Sequence, residues 1–153
     1  MAVRNIVLMG NPSLRGVAAP VDDPTALEIA SLAEDMRDTL EEIDGVGLAA
    51  PQIEVAKRVV IYRVPDFRIP VGAKMRSVPW TVMVNPVIEP LSDEKKPIWE
   101  RCLSLPGLYG RVPRYVHITI SFQTMDGQRE ERTSSAKPGR FDQFRIPLLD
   151  STC

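Results

Sequence analysis

The chain has 153 residues, a length that fits one domain with a hydrophobic core of its own. Hydrophobic residues make up 44% and charged residues 25%, which excludes a disordered tail, a collagen-like repeat and a disulfide-stapled scaffold. Lys and Arg total 19 and Asp and Glu total 20, so the formal net charge is −1. Because there is no basic excess to hold a phosphate backbone, the composition argues against nucleic acid as a partner.

No targeting or membrane segment is evident. The first apolar run, Ile6 to Met9, ends at Gly10 and is too short for a signal peptide. No apolar stretch approaches the roughly 20 residues that a membrane helix needs. We therefore expect a cytoplasmic protein with reduced thiols at Cys102 and Cys153, and no membrane partner.

The first predicted element is a helix over residues 25–43. Its apolar residues recur at alternating steps of four and three and so share one face. These residues are Ile29, Ala33, Met36, Leu40 and Ile43. Asp23 followed by Pro24 predicts the N-terminal cap and first turn. Asp44-Gly45 predicts the end of the helix.

The rest of the chain predicts strands and turns. Residues 57–64 and 80–84 are rich in β-branched side chains and predict two strands, with a loop over 68–79. From Tyr115 a strict alternation predicts a further strand with one apolar face. That face carries Val116, Ile118, Ile120 and Phe122, and the other carries His117, Thr119, Ser121 and Gln123.

The end of that strand is followed by Asp126-Gly127, which predicts a hairpin turn. From Thr133 onward neither a helical nor a strand period holds for more than a few residues. The predicted architecture is therefore a single α+β domain over residues 1–153, in which one helix packs on antiparallel strands and residues 133–153 form an atypical tail.

Two short segments carry residues that could act chemically. Residues 45–52, GVGLAAPQ, form a turn of small residues in which backbone can approach a ligand, and they end on the amide of Gln52. The alternative interpretation is a tightly packed connection without further function. In residues 99–107, WERCLSLPG, Cys102 lies beside polar neighbours. A lone cysteine among apolar residues is more often a small buried hydrophobe.

Together, GVGLAAPQ and ERCLSLPG resemble the first two signature motifs of peptide deformylases, GxGLAAxQ and EGCLS. The resemblance covers residues 4–132 and implies a peptide-deformylase-like fold. It implies hydrolysis of the N-formyl group from the N-terminal methionine of nascent peptides. The catalyst in that family is a divalent metal, Fe²⁺ or Zn²⁺, held by one cysteine and two histidines.

The resemblance also implies roles for four residues. Cys102 corresponds to the cysteine ligand of the metal, and the backbone of Gly47 approaches the bound peptide. The amide of Gln52 and the backbone N–H of Leu103 donate to the oxyanion that develops on the formyl oxygen. One preorganised donor of this kind is worth about 3–4 kcal/mol in comparable hydrolases.

The third family motif, HExxH, is absent. Its two histidines lie one helical turn apart and bind the metal, and its glutamate is the general base. This chain has one histidine, His117, on the predicted strand, and residues 143–148, QFRIPL, stand where the motif would fall. We therefore expect the metal-binding C-terminal helix to be missing or altered, no stable binding of the metal, and deformylase activity that is lost or very low.

Other interpretations stay open. Arg101 stands where the family has glycine. An active hydrolase could have a rebuilt ligand set of Cys102, His117 and Glu100. The chain could also be a non-catalytic peptide-binding or ribosome-associated module, or a gene remnant without function. A frame shift near Thr133 would explain the lost pattern, and an HExxH encoded in another reading frame would support it. Without the third-motif helix we expect an uncovered apolar strand face, and a low melting temperature or aggregation.

Overall fold

The structure is a computed structural model that describes residues 2–69, 71–72 and 76–135. Within them, one α-helix accompanies a five-stranded antiparallel sheet and a separate two-stranded hairpin. Short 3-10 helices lie at Pro12–Leu14, Ala50–Ile53 and Asp66–Arg68. The predicted α+β class with antiparallel strands is therefore confirmed.

Helix α1 spans Leu27–Glu42, close to the predicted bounds. The stripe residues that it buries are Ile29, Ala33, Met36 and Leu40. Ile43 lies beyond the helix and is exposed, which corrects its prediction as the last residue of the helical stripe. The predicted cap was also wrong: Asp23 Oδ1 accepts the N–H and hydroxyl of Thr25, and Ala26 occupies the cap position. An aspartate that closes its own turn two residues on is not available to the helix.

The helix ends at the predicted place. Asp44 adopts a left-handed conformation with φ of 48°, and the N–H of Gly45 donates to the carbonyl of Leu40 at 2.8 Å. A Cβ on Gly45 would lie 2.4 Å from Cδ2 of Leu40. Glycine lets the chain pass close to this buried leucine without displacing the leucine's terminal methyl group on its way into the first strand.

The five-stranded sheet has the order β1-β2-β3-β6-β7, and every neighbouring pair is antiparallel. Its strands are β1 (Gly47–Ala49), β2 (Val59–Val64), β3 (Val78–Pro90), β6 (His117–Gln123) and β7 (Arg129–Ser135). The two strands predicted over 57–64 and 80–84 are confirmed as β2 and as part of the longer β3. Among the described strands, β1 pairs only with β2, so its other edge is open.

The separate hairpin consists of β4 (Lys95–Glu100) and β5 (Gly110–Tyr115). Its register runs from Lys95 opposite Tyr115 to Glu100 opposite Gly110. The strand predicted from Tyr115 is therefore two strands, because β5 ends there and β6 begins at His117. The predicted turn at Asp126-Gly127 is confirmed by the β6–β7 hairpin, in which Gly127 has φ of 81°.

The sheet is buried on both faces. The α1 side holds a cluster of apolar residues from the helix, β1, β2 and β3, including Met36, Leu40, Leu48, Ile61 and Val84. The opposite side holds a second cluster: Ala49, Val60, Tyr62, Met83, Ile118, Ile120 and Phe122. The apolar face of β6, which we expected to be uncovered, is thus buried, and Thr119 and Ser121 on its other face are buried as well.

The predicted tail coincides only in part with the described residues. Its first three residues, 133–135, belong to β7, which corrects the expectation that no strand continues there. The segment 143–148 and the expected change in a C-terminal helix lie outside the described residues. In the part that is described, no helix combines the length and apolar character needed to cross a membrane.

Candidate functional site

The side chain of Gln52 is buried and held at its oxygen end. Gln52 lies in the 3-10 helix Ala50–Ile53, directly after β1, and is 2% exposed. Its Oε1 accepts the N–H of Ala49 at 3.0 Å. Because that bond fixes the carbonyl end of the amide, the NH₂ end points the other way.

The NH₂ end of Gln52 meets the second motif. Nε2 lies 3.1 Å from Oγ of Ser104 and 3.6 Å from Sγ of Cys102. The two segments singled out in the sequence, 50 residues apart, therefore form one site. Cys102 is half-buried in the turn after β4, which is closed by a 3.0 Å bond from the N–H of Leu105 to the carbonyl of Cys102.

Leu103 and Gly47 complete the set of predicted residues. Leu103 is half-buried and packs against the cluster on the α1 side. Gly47 opens β1, and its neighbour Val46 accepts the N–H of Arg63 from the next strand. Since N–H and C=O groups alternate in direction along a strand, the backbone groups of Gly47 point to the open edge. A Cβ on Gly47 would make only ordinary contact at 3.6 Å, so the fold itself does not require glycine there.

An N-terminal segment, residues 2–9, ties both halves of the site together; we call it the strap. The N–H of Val7 donates to the carbonyl of Gln52 and the N–H of Met9 to the carbonyl of Ser104, each at 2.9 Å. Further up, the N–H of Arg4 donates to Oγ1 of Thr39 in α1 at 2.9 Å. The strap thus connects the helix to both motif segments.

The charged neighbours of Cys102 are engaged elsewhere. Both carboxylate oxygens of Glu100 accept from the guanidinium of Arg114 at 2.9 Å, which ties β4 to β5. Arg101 is exposed, and its guanidinium contacts Tyr109, with Nη1 3.5 Å from the hydroxyl. Neither pair places a carboxylate against the thiol.

The donors that the structure describes do not fit a divalent metal. In residues 2–69, 71–72 and 76–135, no three His, Cys, Asp or Glu side chains come close enough to hold one. Cys102 and the half-buried His117 follow opposite ends of the β4–β5 hairpin, whose five residue steps span about 17 Å. The alternative ligand set of Cys102, His117 and Glu100 is therefore not assembled.

Sequence reasoning missed two parts of this site. Ser104 is one of the polar residues beside Cys102 in the second segment, and its position two residues later in the same turn was a signal that the hydroxyl could face the same partner. The strap was not anticipated, because backbone donors at Val7 and Met9 leave no trace in side-chain patterns.

Comparison with known proteins adds a family to this geometry. The sequence profile of the family described as polypeptide deformylase matches residues 3–143. Peptide deformylase 1 of Bordetella pertussis is 45% identical in an alignment of 153 positions. That alignment covers 96% of this chain and 82% of that protein. Peptide deformylase 1 of Prochlorococcus marinus is 41% identical over 98% of this chain and 78% of its own length.

Solved structures confirm the predicted peptide-deformylase-like fold. A class I type b peptide deformylase from Acinetobacter baumannii is 30% identical, with a TM-score of 0.82 over 99% of this chain and 96% of that one. The same enzyme with bound Met-Ala-Ser is similar at 32% identity, with a TM-score of 0.81 over 98% of this chain and 94% of its own. On the profile match and these identities, the chain belongs to the polypeptide deformylase family.

Proposed function

We propose that this chain binds N-formylmethionyl peptides at the open edge of β1 and has little or no deformylase activity. The observation that carries the proposal is the contact between Gln52 Nε2 and Cys102 Sγ at 3.6 Å, in a part of the chain whose described donors do not assemble a metal site. On this proposal the chain retains the substrate half of the family's site without the metal ligands that would complete it.

Peptide binding rests on the edge strand. An extended peptide can add to an open sheet edge through main-chain hydrogen bonds, and the outward backbone groups of Gly47 offer them. The relative from Acinetobacter baumannii has been solved with Met-Ala-Ser bound. In this chain the formyl oxygen would accept from Nε2 of Gln52 and from the N–H of Leu103.

Those two donors polarise the formyl carbonyl but supply no nucleophile. In this family a bound metal supplies one, because it lowers the pKa of a coordinated water to about 7. The chain has one histidine among its 153 residues and no HExxH, so neither the usual ligands nor the usual general base is available. Gln52 and Leu103 therefore orient and polarise the formyl group without hydrolysing it.

The test combines metal analysis with calorimetric titration of formyl-Met-Ala-Ser and of Met-Ala-Ser. We expect well under one metal per chain, no release of formate, and binding of the formylated peptide that is tighter by about tenfold, as one good hydrogen bond would give. Gln52→Leu should reduce that preference to what the N–H of Leu103 alone supports and leave the weaker binding of Met-Ala-Ser unchanged.

Three other outcomes would contradict parts of the proposal. One metal per chain together with formate release would establish an active hydrolase. Equal affinity for the two peptides would remove Gln52 and Leu103 from formyl recognition. No binding of either peptide by the folded chain would favour a remnant without function.

The proposed cellular location follows from the proposed ligand, an N-formylmethionyl peptide. We place the chain, as one domain, in the cytoplasm, where N-formylated nascent peptides emerge close to the ribosome. Retained formyl recognition without hydrolysis would make it a peptide-binding module there. Co-sedimentation with ribosomes that carry formylated nascent chains, compared with ribosomes whose nascent chains are unformylated, would test this placement.

A further inference from the structure

Ser104 contacts the Gln52 amide through its hydroxyl. It is 0% exposed, and its Oγ lies 3.1 Å from Gln52 Nε2. We propose that Ser104 is a positioning residue, whose hydroxyl holds the Gln52 amide so that one N–H is presented on the Cys102 side of the site. The inference rests on the proposed function and adds the group that orients its donor.

The amide is restrained from two directions. The N–H of Ala49 donates to Oε1, so a flipped amide would set two donors against each other at 3.0 Å. That bond selects the flip state and holds the carbonyl end, but it does not by itself set the direction of the two N–H groups. The acceptor at Ser104 takes one of the two N–H groups and fixes that rotation, which leaves the second N–H on the side of Cys102 Sγ, 3.6 Å away.

Orientation matters here because a donor to a developing charge is effective only when it is already aimed. Without the Ser104 acceptor, a buried N–H group of Gln52 would lose its partner, a state that buried polar groups avoid. The amide would then turn towards the remaining acceptor, the Cys102 sulfur, and the donor direction would be lost.

The backbone of Ser104 is held without its hydroxyl. Its carbonyl accepts the N–H of Met9 at 2.9 Å, and the turn is closed by the bond from Leu105 to Cys102. Ser104→Ala therefore removes one acceptor and leaves the loop anchored. A matched control is Ser13→Ala, since Oγ of Ser13 donates to the carbonyl of Pro51 at 3.2 Å, in the same 3-10 helix but away from the Gln52 amide.

The first measurement uses the free protein. Nitrogen-15 NMR follows hydrogen exchange of the Gln52 side-chain NH₂, identified by its disappearance in Gln52→Leu. We expect slow exchange in the wild type and in Ser13→Ala, and exchange at least tenfold faster in Ser104→Ala. Ser104→Cys, whose thiol is only a weak acceptor, should be intermediate. Ser104→Cys also allows the exchange rate to be compared if Ser104→Ala does not fold.

The second measurement uses formyl-Met-Ala-Ser labelled with carbon-13 in the formyl group. Infrared spectroscopy should show the formyl C=O stretch at lower wavenumber when bound to the wild type or to Ser13→Ala. The shift should be at most half as large for Ser104→Ala. Affinity for the formylated peptide should fall severalfold in Ser104→Ala, while affinity for Met-Ala-Ser stays the same.

The outcomes separate the two claims. Unchanged exchange in folded Ser104→Ala would overturn the role of Ser104, as would equal acceleration in Ser13→Ala, which would indicate general loosening. If the wild type binds no formylated peptide, the proposed function fails. The exchange rates in the free protein would still decide whether Ser104 orients Gln52.

Discussion

Tyr62 shows how one buried polar group couples this fold to pH. Its ring lies in the second apolar cluster, and its hydroxyl accepts from Nη1 of Arg132 at 2.9 Å. Burial raises the pKa of Tyr62 above its ordinary value, although the Arg132 guanidinium opposes part of that rise. The native state thus keeps this proton at a pH where the unfolded chain has lost it. The stabilisation is complete below about pH 10 and is lost as the pH rises through the folded pKa.

Tyr62→Phe should separate the stability that comes from hydrogen bonding of the Tyr62 hydroxyl from the loss of stability when that hydroxyl ionises. Below pH 9 we expect a loss of about 1–3 kcal/mol in unfolding free energy, since the hydrogen bonds of the hydroxyl with Arg132 and Thr81 are removed. Above pH 10 the wild type should lose stability more steeply than the variant. Urea unfolding at a series of pH values measures both effects, with the exposed Tyr109 changed to Phe as the control. Parallel pH curves for wild type and Tyr62→Phe would contradict this account.

At the scale of elements, periodic patterns were predictable and short or charged ones were not. Helix α1 followed from its stripe because burial on one face imposes a 3.6-residue period. Strand β1 has three residues, too few to show any period. Strand β4, KKPIWE, was missed because most of its residues are exposed, so it shows no alternation of apolar and polar side chains. The break at Val116 was missed because the alternation continues across it.

An ion pair between Glu100 and Arg114 joins the two strands of the hairpin that presents Cys102. The side chain of Glu100 is 10% exposed and that of Arg114 37%. The pair makes two parallel hydrogen bonds, the geometry in which an arginine binds a carboxylate most strongly. It therefore fixes the end of β4 from which the Cys102 turn departs.

Glu100→Gln should destabilise the protein by about 1–2 kcal/mol, because one charge-assisted bond is lost and Arg114, being partly exposed, recovers some hydration. Glu130→Gln is the matched control: that carboxylate also pairs with an arginine, but its side chain and that of Arg132 are 43% and 41% exposed. We expect less than about 0.5 kcal/mol there. Denaturant unfolding measures both, and equal losses would show that burial of the Glu100 pair has no consequence.

At the scale of the whole molecule, stability is expected to respond to peptide and not to metal. A ligand that binds only the native state raises the melting temperature in proportion to the logarithm of its concentration. Because the described donors do not fit a metal, Fe²⁺ or Zn²⁺ should leave the melting temperature unchanged, whereas formyl-Met-Ala-Ser should raise it.

The low melting temperature expected from the sequence stays a prediction. We expect this chain to melt below the relative from Bordetella pertussis when both are measured with added metal, since the stabilisation that a bound metal contributes in this family would be missing here. Calorimetry of both proteins with and without added metal is the measurement. A rise of several degrees on adding metal to this chain would contradict the prediction. Burial of the β6 face already removes one of the reasons first given for it.

The strap has a consequence for the order in which the protein can mature. It closes contacts between residues 7–9 and residues 52 and 104, so segments from the start, the middle and the later part of the sequence must meet before the donors are aligned. Contacts of such wide separation form slowly, after local structure. A chain still being synthesised can therefore form its helix early. Recognition of a formyl group has to wait until residue 104 has been made and the strap has bound to both motif segments.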